Sequence, residues 1–301
     1  MVAVHRDLRQ TDGWAKYLQS LGWEVEEIPG PERSCKIYIR KVPLIGAVVK
    51  LQRPAAVPPA EEIDRIAKEH RALFVKLEPS RPVSMAGFEP DRNPNLPTKT
   101  VVIDLTRSGA ELWEDLSKDA RQSIRKAVGN QLTAGGYQPG DEGFSGALAN
   151  FQRLLQETGG RQGFRATSLQ EVQKKAAAFE KDTLIFVVRQ DGRPVAAALI
   201  IFSGNAAFFH HLGSKKSGQK LFATYFLVWE VLKEIKKRRP DVRILDLEGV
   251  DDPRFPQTKS WQKFSVFKRK WGGEEIEYPP PLIKYFNPLV RALFKLTSAL
   301  T

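Results

Sequence analysis

The stretch TLIFVVRQDGRPVAAALIIFSGNAAFFHHLG, Thr183 to Gly213, decides the fold of this 301-residue chain. It holds three runs rich in β-branched, aromatic and small apolar residues, each long enough for one strand, with Asp191-Gly192 marking the first tight turn. Three successive antiparallel strands are therefore expected. Downstream, Phe222, Phe226, Trp229, Leu232 and Ile235 recur at helical spacing. The run KKRR ends that helix where cations suit the dipole, Pro240 stops it, and VRILDLEG reads as the next strand. Upstream, Leu148, Phe151, Leu154 and Leu155 define a helix ending at Gly159-Gly160. Ser168 and Glu171 form a capping box that opens another.

The first half reads as a second α/β segment. A helix is expected around Trp14 to Leu21, then β-like runs SCKIYIRKV and IGAVVKLQRP and a proline-rich break, AAVPPA. A helix around Glu61 to Arg71 leads into the buried strand LFVKLEP. After the loop EPDRNPNLPTK comes the strand TVVIDLT. Ser108 and Glu111 form a capping box, and Trp113, Leu116, Ala120, Ile124 and Ala127 continue at helical spacing. Lys118, Arg121, Arg125 and Lys126 fall around the polar side. The stretch GNQLTAGGYQPGDEG reads as a glycine-rich turn between the halves.

Composition narrows the function. With 42% hydrophobic and 27% charged residues the chain is an ordinary globular protein. The net charge is +12, and from Ser214 to Thr301 there are 18 Lys and Arg against 10 Asp and Glu. Such an excess fits an anionic partner such as nucleic acid, a phosphorylated molecule or a membrane surface, or an inert basic surface. One cysteine, Cys35, excludes an internal disulfide and a cysteine-based zinc cluster. Of His5, His70, His210 and His211, only the last two are close in sequence, and no carboxylate sits at ligand spacing beside them, so no metal and no cofactor are expected. The N-terminus MVAVHRDLRQTDGW lacks an apolar signal core, and the expected location is cytoplasmic.

The element order helix, helix, three antiparallel strands, helix, strand, helix, strand is that of a GNAT-type acyltransferase, a mixed α+β fold. A coenzyme A enzyme of that fold carries [QR]-x-x-G-x-[GA] before the long helix. KKSGQK, Lys215 to Lys220, departs from it at both ends, which argues against coenzyme A as donor. In order along the chain, YLQSLGW, LFVKLEP, SKDARQSIRKAV, ETGGRQGF, HHLGS, LDLEGVDD and VFKRKWGG resemble the FemABX peptidyltransferases, from about Trp14 to Tyr278. The resemblance implies two GNAT-like domains in tandem, without the coiled-coil arm of longer members. Residues 1–135 would form the domain contributing the acceptor groove and residues 136–280 the domain with the catalytic Phe-Lys pair. Residues 281–301 would form an amphipathic tail packed on the first domain or resting on a membrane. The implied reaction moves an amino acid from aminoacyl-tRNA to the side-chain amine of a muropeptide precursor, lipid-linked or UDP-linked, in the cytoplasm or at the inner face of the membrane.

The resemblance also implies site residues. Lys268, beside Phe267 in VFKRKWGG, would stabilise the tetrahedral oxyanion while the ring excludes water. By position alone, Lys268 is equally a dipole-compensating cation at a helix end. Arg161 in ETGGRQGF, with Thr158 beside it, would hold the phosphates of the carrier. His211 would offer a hydrogen bond near them, or serve as a sheet-face residue. Glu78 would orient the incoming amine or help take its proton, although a glutamate before Pro79 is also an ordinary solvated strand end. Lys215, Lys216, Lys220, Lys236, Lys237, Arg238 and Arg239 would contact the tRNA. Two positions depart from the family: Trp23 is followed by Glu24, Val25, Glu26 and Glu27 where a phosphate-binding lysine can stand, and Leu73 replaces an aromatic. No His-carboxylate pair is visible, so direct transfer without a covalent intermediate is expected. Two further readings stay open: an N-acyltransferase with another thioester donor acting on a polysaccharide or lipid, and a non-catalytic binder of tRNA or anionic glycolipid.

Overall fold

The structure, a computed structural model, describes residues 6–30 and 33–298. His5 and the outermost residues of the expected first domain and tail lie outside them. The chain divides into two compact units. One comprises Arg6–Lys99, Asp251–Lys259 and the chain from Glu277 onward; the other comprises Thr100–Val250 and Ser260–Ile276.

The first unit begins with α1 (Asp12–Ser20), whose N-cap Thr11 accepts from Trp14 N, followed by β1 (Glu24–Ile28), β2 (Cys35–Val42) and β3 (Gly46–Gln52). Next come α2 (Ala60–Glu69), β4 (Ala72–Glu78) and the two-residue β5 (Glu89–Pro90). Ile63, Ile66 and Ala67 of α2 pack on Ile37, Ile39, Val49, Leu51, Val75 and Leu77, all buried. The glutamates after Trp23 fall on β1, at the sheet edge, where charge discourages further strand pairing. They are held by Lys41 (Glu24, 2.6 Å), by His70 (Glu26, 2.5 Å) and by Lys36 (Glu27).

The second unit opens with β6 (Lys99–Asp104), α3 (Gly109–Asp115) and α4 (Lys118–Gly129). The single helix expected from Trp113 to Ala127 is broken at Leu116, which is extended, and Ser117 caps α4 by accepting from Ala120 N. Then comes β7 (Thr133–Tyr137), where the sequence reads as a turn. TAGGY pairs with β8 (Thr183–Gln190) because its glycines leave room for large neighbours: a Cβ at Gly136 would lie 3.0 Å from Leu184 Cδ1 and 3.1 Å from Phe186 Cδ2. Between them run α5 (Phe144–Gln162) and α6 (Leu169–Phe179), the latter opened by the expected Ser168–Glu171 capping box. α5 passes through Gly159-Gly160 and stops at Gly163, which is left-handed.

The expected three-strand meander is β8, β9 (Arg193–Ser203) and β10 (Ala206–Ser214), antiparallel throughout, with Asp191 and Gly192 both at positive φ in the first turn. A short α7 (Lys216–Lys220), α8 (Ala223–Arg238), β11 (Ile244–Gly249), α9 (Gln262–Arg269) and β12 (Glu274–Glu277) follow. The strand order is β12-β6-β11-β10-β9-β8-β7. Leu227, Val231 and Ile235 of α8 and Ile124 of α4 cover Phe186, Ala198, Ile200 and Phe209 on one face. α5 covers the other, so closely that a Cβ at Gly213 would lie 2.4 Å from Leu155 N.

The boundary expected at residue 135 does not coincide with these units. Residues 100–135 pack with the seven-stranded sheet because β6 pairs with β11 and buries Val101 and Ile103 there. At the end of the chain β13 (Leu282–Tyr285) inserts between β4 and β5, and α10 (Pro288–Ser298) follows, with Phe294 against Phe74. The first unit's sheet thus has the order β1-β2-β3-β4-β13-β5. Among the described residues the longest helix is α5, at 19 residues, and none is long and apolar enough to cross a membrane.

Candidate functional site at the break between two strands

β10 and β11 are the parallel pair of the second sheet, and their ladder stops at Phe208 opposite Asp246. Just beyond that level each strand is irregular. β10 shifts register between Phe209 and His211, and β11 shifts against β6 between Asp246 and Gly249. Bulges re-aim side chains, and these two turn His210 and Glu248 toward each other. His210 Nδ1 lies 3.0 Å from Glu248 Oε2, and His210 Nε2 lies 2.6 Å from Lys175 Nζ of α6. An ammonium can only donate, so Nε2 accepts, Nδ1 carries the proton, and the imidazole donates to the carboxylate. The His210 ring lies 4.2 Å from that of His211, tilted by 50°, and the His211 pKa is driven well below its usual value, chiefly by desolvation, with the neighbouring His210 and the Lys175 ammonium adding to the shift. The His211 imidazole is therefore neutral.

Glu248 sits at φ 57, a left-handed conformation that strains a non-glycine residue by roughly 1–3 kcal/mol. Buried Asp246 holds it there, accepting from Glu248 N at 2.6 Å and from the hydroxyl of Thr100. Glu248 is also the one residue of β11 that is not buried.

Lys268 reaches the same place from α9. Its Nζ donates to Gly249 O at 2.7 Å, the carbonyl next in sequence to Glu248, and lies 5.2 Å from the centre of the Phe264 ring. Phe267 packs on Tyr225 (5.0 Å) and on the fully buried Trp271 (5.9 Å), which fixes the helix that presents the lysine. Ser117 N donates to Lys270 O, and Lys270 pairs with Asp119 at 3.2 Å, so the end of α9 is tied to α4. Desolvation pushes the Lys268 pKa down to about 8, with Glu248 and Asp246 opposing the shift. An ammonium that only compensated a helix dipole would lie in water and keep its ordinary pKa.

The other expected site residues are more constrained. Thr158 is buried; its hydroxyl bonds Leu154 O at 2.9 Å and accepts from Ser214 N at 2.9 Å, joining α5 to β10. Arg161 lies in the last turn of α5, not beyond a helix stop, and is anchored to Ser214 O (2.5 Å) and the Thr158 hydroxyl (3.2 Å). Glu78, in the first unit, is not a solvated strand end. It is 2% exposed and accepts from Asn95 N (2.7 Å), Leu96 N (2.6 Å) and Gln52 Nε2 (3.3 Å), pinning the loop after β5. The expected tRNA cations fall into two kinds. Lys236 donates to Leu105 O and Arg107 O, both at 2.6 Å; Arg238 pairs with Glu234, and Arg239 with Asp182 and Asp241. Lys216, Lys220 and Lys237 are exposed and Lys215 is half-buried. Glu26, Glu69 and His70 of the first unit bring three ligand atoms within 4.8 Å of one another, but the His70–Glu26 hydrogen bond already accounts for the grouping.

Glu248, His210 and Lys175 do not stand out as a group in the sequence, because no carboxylate lies beside the histidine pair along the chain and Glu248 arrives from 38 residues away, across the sheet.

Residues 118–255 match the acetyltransferase (GNAT) domain family, so the second unit carries an acyltransferase-type domain. No curated protein matches the chain. The crystal structure of FemX aligns at TM-score 0.78 and 16% identity over 96% of this chain and 94% of that one, and the chain has a FemABX-like tandem GNAT fold. The C-terminal domain of a putative lysylphosphatidylglycerol synthetase from Agrobacterium fabrum aligns at TM-score 0.63 and 15% identity, covering 96% and 93% of the two chains. The structure of L-PGS from Bacillus licheniformis aligns at 0.60 and 14%, covering 99% and 98%.

Proposed function

We propose that the protein transfers an amino acid from aminoacyl-tRNA to the side-chain amine of a peptidoglycan precursor, lipid-linked or UDP-linked, at the cytoplasmic side of the membrane. The observation that carries the reading is the desolvated Lys268 ammonium anchored on Gly249 O beside Phe264 and Phe267. When an amine attacks an ester, charge develops on the carbonyl oxygen. A lysine with one proton fixed on a backbone carbonyl has two left to meet that oxygen, and one good donor contributes roughly 3 kcal/mol to such a transition state. Low local polarity strengthens the contact, and the aromatic rings keep water from competing. The donor's phosphates have exposed partners in Lys216, Lys220 and Lys237. Lys215 and Arg161, which flank Ser214, suit a phosphate of the carrier, with neutral His211 as a further donor. Glu78 supports the acceptor side by holding its loop.

The test is transfer itself. Purified protein is incubated with a pool of labelled aminoacyl-tRNAs and with lysine- or diaminopimelate-containing precursors. Label in the precursor, lost in Lys268→Met with the fold intact, is the expected result. A folded wild-type protein that moves no label to any acceptor would defeat the proposal.

One observation favours a second acceptor. Leu289 and Leu293 of α10 are 79% and 60% exposed, a surface suited to lipid, and one of the solved structures that span this chain is named for a putative lysylphosphatidylglycerol synthetase. Anionic phospholipid vesicles in the same assay decide between them: label in the lipid fraction, and none in the precursor, makes the acceptor a phospholipid headgroup. Tight tRNA binding without transfer would leave a binding protein.

A further inference from the structure

The geometry points to Glu248 as the group that takes the proton from the attacking amine, with His210 and Lys175 as the residues that position its carboxylate. This role rests on the aminoacyl-transfer reading above.

Three observations converge. Glu248 holds a left-handed backbone conformation that a glycine or asparagine would adopt more readily, and a side chain kept under strain at the mouth of a sheet break calls for a use. Its carboxylate is oriented by an imidazole that is itself oriented by a third group, the ammonium of the buried residue Lys175. That is the base–orienter arrangement found where a side chain must meet a reacting atom in one fixed direction. Finally, the next residue's carbonyl anchors Lys268. The group that would receive the proton and the group that would meet the oxyanion are therefore set by two adjacent residues of one strand.

The acceptor amine arrives as an ammonium, having an ordinary pKa of about 10.4. It gives one proton to the Glu248 carboxylate, which holds it until the ester has opened. The freed nitrogen pair forms the bond to the ester carbon, and the carbonyl pair moves onto oxygen beside Lys268. As that oxyanion collapses, the bond to the ribose oxygen breaks. Glu248 gives its proton to that oxygen and takes the second one from nitrogen, leaving an amide, a free hydroxyl and one proton to be released. The groups facing Glu248 include His210 from β10, backed by Lys175 of α6 and by neutral His211, together with Lys268 from α9 and Asp246 of its own strand.

Single-turnover transfer rates measured from pH 6 to 8 test this. Wild-type protein takes its amine as the ammonium, so its rate is expected to be nearly level up to the titration of Lys268 at about 8. Glu248→Gln keeps the shape but cannot take a proton. It is expected to be slower by about 100-fold or more at pH 7, and to gain about tenfold per pH unit because it must wait for amine already neutral in solution. Glu248→Asp, which keeps a carboxylate and suits the left-handed backbone better, should retain the level wild-type profile at a reduced rate. Lys175→Met should lower the rate without changing that profile. A Glu248→Gln rate within a few-fold of wild type, or one that parallels it across the pH range, overturns the role of Glu248 and leaves the transfer reading standing. Absence of transfer by wild-type protein overturns both.

Discussion

Lys268→Met should make the protein more stable at neutral pH while abolishing transfer. Burial moves the Lys268 pKa from 10.5 to about 8, a displacement equivalent to roughly 3 kcal/mol against the charged form in the folded state. Methionine fills the same space without that penalty, but it gives up the bond to Gly249 O, which offsets about 1.5 kcal/mol. The net gain is about 1.5 kcal/mol at pH 7, or about 3–6 °C in the transition of the unit built on the seven-stranded sheet. The pH dependence fixes the sign. Between about 8 and 10.5 the unfolded chain holds the Lys268 proton and the folded chain does not, so wild-type stability from this group rises with pH through that window. Below about 8 both states hold the proton and the penalty is complete. Thermal unfolding of both proteins at pH 7 and pH 10.5 is the assay: the advantage of the variant should shrink or reverse at the higher pH. Transfer should fall by about 10²–10³-fold at pH 7, where Lys268 is charged. A variant less stable than wild type at pH 7, or an advantage independent of pH, would show that the ammonium is not held against its solvation.

Three further outcomes follow from the contacts. Thr158→Val removes the hydroxyl joining α5 to Ser214 and should cost about 1–3 kcal/mol in urea unfolding; an unchanged midpoint would mean the tie is not needed. Glu78→Gln should lower stability by about 1–3 kcal/mol and transfer with it, because the carboxylate pins the loop at Asn95 and Leu96. A loss of transfer with full stability would instead place Glu78 in the chemistry. Replacing Lys216, Lys220 and Lys237 together by Ala should flatten the salt dependence of tRNA binding by about 2–3 units in the log–log slope. The same change at Lys236, bonded to Leu105 O and Arg107 O, should act on stability instead.

How far the sequence could be read depended on how local each signal was. The strands from Thr183 to Ser214, the helix from Ala223 to Arg238 and both capping boxes were legible, because period and caps are set by neighbouring residues. The place of Lys268 beside the apolar face of its helix was legible from its neighbours. TAGGY was not, since its glycines are strand residues only in the presence of Leu184 and Phe186 across the ladder. The domain boundary was missed for a similar reason: β6 belongs where β11 pairs with it, about 140 residues further along the chain.

The same distinction explains why the proposed proton acceptor is invisible in the sequence while the helix that carries Lys268 is not. A helix can advertise a buried cation by its pattern, but a bulge has no period, and the reach of Glu248 to His210 exists only after two strands have paired and then parted. LDLEG reads as an ordinary strand end until Asp246 takes the Glu248 amide and turns the backbone left-handed. Glycine at position 248 would relieve that strain, so the carboxylate held there by Asp246, His210 and Lys175 is better explained by what it does to an incoming amine than by what it gives the fold.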